Sequence, residues 1–198
     1  MNPAEIFAYL GPAMLIAALA TMAIFVPTRF LSCQTTGGAA RKTPFLTLFL
    51  VLLFLTLTQY PLPDPGALDC STGGVTPILR PFASLDRFFL LWGRNAPLSA
   101  WAGDKMVQAV SMNFFLCAAI GGAWMLHTRA RYPILTSAAL GIAVSGLAET
   151  AQATALFGLY PCPYRTFEVD DLILNVGGVI TGAITVLTLC RLRGSPPR

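Results

Sequence analysis

Five long apolar stretches constrain this chain more than anything else in it: Ile6–Val26, Phe45–Tyr60, Val107–Leu126, Ile134–Phe157 and Asp171–Cys190. A helix rises ~1.5 Å per residue and the hydrocarbon core of a bilayer is ~30 Å thick, so about 20 apolar residues make one crossing. The second stretch is the shortest. The expected fold is therefore all-α: a polytopic transmembrane helix bundle with five spans, forming a single membrane domain over residues 1–198. Composition agrees, because only 11% of the residues are charged and 55% are hydrophobic. A soluble domain carries about a quarter charged residues. Disorder, a coiled coil and a secreted disulfide scaffold are excluded. Nucleic acid is not an expected partner, since the 13 Lys and Arg residues form no single stripe. The first stretch lacks the basic head and small-residue cleavage site of a signal peptide, and reads as a retained helix.

Charge sets the expected orientation. One set of loops holds Arg29, Arg41, Lys42, Arg129, Arg131, Arg191, Arg193 and Arg198, and no acid. The other holds Arg80, Arg87, Arg94, Lys105 and Arg165 against Glu5, Asp64, Asp69, Asp86, Asp104, Glu168, Asp170 and Asp171. Basic residues stay in the cytoplasm. The N-terminus is thus expected outside, and the C-terminus, with a tail over residues 191–198, in the cytoplasm. The expected location is the cytoplasmic (inner) membrane of a bacterium.

An external loop over residues 61–104 is too long to be a mere connector. Within it, Leu85–Trp92 mixes apolar and charged residues at helical spacing. This predicts an external interfacial helix, or equally a helix that caps the bundle. Cys70 and Cys162 fall on the external side, where disulfides persist. A bridge between them and two unpaired thiols are both compatible with the sequence. Cys33 and Cys190 fall on the reducing side.

Polar residues inside the spans carry the functional signal. Gly141, Ser145, Glu149 and Gln152 share one helical face, and Asp171, Asn175, Gly178 and Gly182 share another. Asn113 lies in the third span. Counted from the expected outer ends at ~1.5 Å per residue, Asn175, Gln152, Asn113 and Glu149 lie about 6, 8, 9 and 12 Å deep. Intramembrane acids mark functional sites, and Glu149 is the strongest case. The nearest cation in sequence is Arg165, expected to meet Glu149 or Asp171. The alternative is a polar clamp that holds helices in register. Asp170 and Asp171 also suit a helix N-terminus, where the dipole favours acids. No metal or other cofactor is expected: there is no C-x-x-C pair, and His127 is the sole histidine.

Some of these residues resemble the VanZ-like family. The resemblance rests on Glu149-x-x-Gln152, on the run Arg165-Thr166-Phe167-Glu168-Val169-Asp170-Asp171-Leu172-Ile173-Leu174-Asn175, on Thr76–Phe82, and on Asn113 with Phe115 and Gly121. It spans roughly residues 75–184. Ala119 stands where the family commonly has proline, and Glu168 replaces a usual aspartate. The resemblance implies a small polytopic protein of the cell envelope. The family is named after a protein that lowers susceptibility to the glycopeptide teicoplanin, and no reaction is securely attached to it. It marks Asn113, Glu149, Gln152, Arg165, Asp170, Asp171 and Asn175 as the site.

Three functions follow as alternatives. An outward-facing polar pocket would bind, or control access to, a lipid, an envelope precursor or a glycopeptide. In that case Asn113, Gln152, Arg165, Asp170 and Asn175 would serve as ligand-binding residues. Alternatively, an outer-leaflet enzyme would act on a lipid or envelope intermediate, with Glu149 as general base and Asp171 orienting the substrate. A structural subunit of a membrane complex is the third. Besides the bilayer, the expected partner is a lipid-linked or envelope ligand; the sequence leaves the oligomeric state open.

Overall fold

The computed structural model describes residues 14–21, 43–71, 73–128 and 130–192. Among these the fold is helical. Residues 14–21 are helical (α1); further along the chain come α2 (Thr43–Gln59), α3 (Leu85–Gly93), α4 (Leu98–Gly103), α5 (Lys105–Met125), α6 (Pro133–Ala153), a single turn α7 (Ala155–Gly158) and α8 (Val169–Leu192). Three of them, α5, α6 and α8, are long and apolar enough to cross a membrane, and α2 is apolar but shorter. Most of the first expected span lies outside the described residues. Its visible part packs Ala17 beside Leu53 and Leu57 of α2.

Local signals explain where the helices begin. The Asp104 side chain accepts from the backbone N–H groups of Met106 and Val107 at 3.0 and 3.2 Å, capping α5. Helix α6 opens on Pro133, whose missing N–H would have had no intrahelical partner there. Asp170 and Asp171 occupy the first turn of α8.

The fourth span was expected to run to Phe157, but α6 stops at Ala153. Ala155, Leu156 and Phe157 follow with φ of 53°, 56° and 59°. Side-chain-bearing residues cost about 1–2 kcal/mol each in this left-handed region. The turn is held by the Thr154 hydroxyl, which accepts from Phe157 N–H at 3.1 Å, and by Tyr160 N–H donating to the Ala155 carbonyl. The chain therefore reverses about one turn earlier than apolarity alone suggests. Gln152 and Glu149 sit correspondingly nearer the helix end.

Helices α5 and α8 cross with almost no space between backbones. A Cβ on Gly121 would lie 1.9 Å from the Val179 carbonyl oxygen, and one on Gly182 would lie 1.8 Å from that of Ala118. The small-residue pattern Gly178-x-x-x-Gly182 is thus consumed inside the bundle. Phe54, Cys117, Ile120, Val144, Ala148 and Val179 form the core between α2, α5, α6 and α8.

The long loop folds across one end of this bundle. Residues 75–78 run beside 163–169, with Ile78 N–H donating to Phe167 O at 2.8 Å and Val169 N–H to Ile78 O at 3.1 Å. Cys70 and Cys162 are bonded, with their Cα atoms 5.7 Å apart. Helix α3 is tied to the start of α5 by Arg87, whose Nε donates to Asp104 at 2.6 Å. Its outer side leaves Phe89 69% and Trp92 77% exposed, as an amphipathic helix at an apolar boundary would.

Candidate functional site

A cavity of roughly 600 Å³ opens at the end of the bundle where α2 finishes and α5 and α8 begin. Its lining is mixed. Leu57, Leu68, Val75, Met106, Val110 and Met112 are apolar, and Thr58, Asn113, Gln152, Tyr164, Arg165, Glu168 and Asp171 are polar. The first turn of α8 supplies Asp171, the third turn of α5 supplies Asn113, and the last turn of α6 supplies Gln152. The connection before α8 supplies Tyr164 to Glu168.

Four of the residues singled out from the sequence thus meet at one place: Asn113, Gln152, Arg165 and Asp171. Within this group, the Asn113 amide stands beside the Asp171 carboxyl, and Arg165 is close enough for its charge to be felt there. The expected ion pair is a different matter. The Arg165 guanidinium donates to the Tyr60 carbonyl, and among the described residues it makes no salt bridge with Glu149 or Asp171. Among the described residues the ion pairs are Arg80–Asp86 and Arg87–Asp104. With one donor given to Tyr60, most of the five N–H groups of Arg165 are left for the cavity side.

The other three do not line the cavity. Glu149 is 2% exposed, and its Oε2 accepts from the backbone N–H of Glu168 at 3.1 Å. It fixes the connection that carries Arg165 and Glu168, and it is not among the residues that line the cavity. Asp170 accepts from Phe82 N–H, from Ser84 N–H at 2.7 Å and from the Ser84 hydroxyl at 2.7 Å. Both of its oxygens are used in anchoring the long loop. Asn175 donates to the Ser145 hydroxyl at 3.0 Å and joins α8 to α6.

The cavity also recruits residues that the sequence did not single out. Glu168 lies on its wall; burial, helped by Asp171 and Asp170, pushes its carboxyl above its ordinary pKa. Burial likewise raises the Tyr164 phenol, whose hydroxyl donates to the Gln59 carbonyl at 3.4 Å. Gln59 ends α2 and donates to the Ala148 carbonyl at 3.2 Å. Beside it, Gln152 donates to the Thr58 carbonyl at 3.0 Å. The carbonyl oxygens of both glutamine side chains are buried without a donor. A glutamine closing an otherwise apolar helix was the available signal for Gln59, but it looked like an ordinary helix end.

No group of three or more His, Cys, Asp or Glu residues that could hold a metal ion occurs among the described residues. The lining instead offers one cation, two carboxyls and several neutral polar groups among apolar side chains. The VanZ/LLP1 family model matches residues 45–191, which includes every lining residue. No curated protein and no solved structure matches the chain.

Proposed function

The chain belongs to the VanZ/LLP1 family, and from that premise we propose that it is a cytoplasmic-membrane protein of the cell envelope that binds the polar head of an amphiphile. The reading includes five spans and an outward-facing cavity end. The observation that carries it is the mixed lining of the cavity. Leu57, Met106, Val110 and Met112 suit the first methylenes of an acyl or prenyl chain, while Arg165, Asp171, Asn113 and Glu168 suit its head. Pockets that fix an apolar body with a few placed polar groups are the usual form of a small-molecule site.

Binding is favoured over turnover on a specific ground. The strongest candidate for a general base, Glu149, is buried, and its Oε2 already accepts from the Glu168 backbone N–H. A base must come within hydrogen-bond reach of the proton it takes. Asp171 and Glu168 are the acids that line the cavity, and Asp171 stands beside the Asn113 amide.

Native mass spectrometry of the purified protein tests the proposal. A lipid-sized adduct should survive release from detergent, and Arg165→Gln or Asp171→Asn should lower its occupancy about tenfold, the effect of one charge-assisted hydrogen bond. Equal occupancy in wild type and both variants would place the lipid elsewhere on the surface and remove the reading.

A further inference from the structure

The charges on the cavity wall narrow the chemistry of that head, on the premise that the cavity binds an amphiphile. Besides the Tyr164 phenol, three half-buried ionisable groups line the space: Arg165, Glu168 and Asp171. A purely anionic head would be attracted by Arg165 but would meet two carboxyls. A purely cationic head would meet the guanidinium. Only a ligand carrying both signs satisfies the lining without leaving a like charge opposed.

Hydrogen-bonding capacity sharpens the choice. Arg165 offers a planar fork suited to two oxygens of a phosphate. A positively charged donor is then needed at Asp171 and Glu168, since an ionised carboxylate only accepts. A primary ammonium brings three donors, and a quaternary one brings none.

We infer that the cavity selects a phosphate ester bearing a primary ammonium, of the phosphoethanolamine type, with the phosphate on Arg165 and the ammonium on Asp171 and Glu168. The apolar side chains of the lining, Met106 and Met112 among them, then receive the start of the lipid chains.

The test is a competition on the full-length protein in detergent, read by native mass spectrometry. The probes are phosphatidylethanolamine, phosphatidylcholine and phosphatidylglycerol of identical chains, with free phosphoethanolamine as a fourth arm. Phosphatidylethanolamine should be retained about tenfold better than either other lipid, as expected for losing one charge-assisted contact. Glu168→Gln combined with Asp171→Asn should erase its advantage over phosphatidylglycerol. The wild-type panel decides the matter even if that double variant does not fold. Equal retention of phosphatidylglycerol overturns ammonium recognition, and equal retention of phosphatidylcholine overturns the demand for N–H donors. Either result leaves amphiphile binding standing, whereas retention of no lipid overturns both readings. Displacement by free phosphoethanolamine at matched concentration supports the same head chemistry with a soluble source; retention of the lipid against it supports a membrane source.

Discussion

Asp170 and Asp171 are neighbours with opposite employment. On a helix they point about 100° apart, so one reaches the loop and the other the cavity. Asp170 gathers three donors from Phe82 and Ser84, while Asp171 faces open space beside Asn113. The sequence makes both acids visible but cannot divide their tasks, because the partners of Asp170 lie 86 and 88 residues away. The same blindness applies to Glu149, whose partner is a backbone N–H that no residue type advertises. Asn113 and Gln152 were legible because a polar group at membrane depth is expensive wherever it points, and Arg165 because it is the cation nearest to Glu149 in sequence. The division of labour is measurable. Asp170→Asn should lower stability by about 2 kcal/mol, the loss of charge-assisted bonds to buried donors, and should open residues 61–104 to protease. Asp171→Asn should leave the thermal midpoint almost unchanged while weakening ligand retention. Equal destabilisation by both would contradict the assignment.

At the scale of elements, the contact between α5 and α8 positions Asn113 opposite Asp171. Gly121, Gly178 and Gly182 allow it, since each lies against a backbone carbonyl of the facing helix. The spacing of Gly178 and Gly182 was readable as a contact stripe, but spacing cannot name the partner; a second copy of the chain was an open alternative until α5 was seen to fill it. The end of α6 was less legible. Apolar residues continue to Phe157, and only the left-handed turn after Thr154 stops the helix. Substitutions separate close packing from ordinary helix propensity. Gly182→Ala would place a methyl 1.8 Å from a carbonyl oxygen that no rotamer can avoid. It should cost about 3 kcal/mol or more and sharply reduce folded yield. Gly146 has nothing within 4 Å of its added Cβ, so Gly146→Ala should be neutral or stabilise by up to about 1 kcal/mol. Comparable losses from both would mean that the helices do not meet along this seam.

For the molecule as a whole, the disulfide and the charge asymmetry concern the same end of the bundle. Cys70 and Cys162 are 92 residues apart in sequence, and between them lie α3 to α7. Closing so long a loop removes much of the unfolded chain's freedom, and Cys162→Ser should cost about 2–5 kcal/mol. Leu68 and Tyr164, each two positions from a bonded cysteine, both line the cavity, so the bridge also holds two of its walls together. Disulfides persist on the oxidising side of a membrane, and the loops on that side hold the acidic residues while the opposite loops hold basic ones alone. Redox poise and retention of Lys and Arg in the cytoplasm are two independent grounds for the proposed orientation. Intact cells treated with a membrane-impermeant reductant and then a thiol-reactive mass tag should show tagging at Cys70 and Cys162 before lysis. Tagging of this pair only after lysis would invert the bundle, turn the cavity toward the cytoplasm and move its ligand to the inner leaflet.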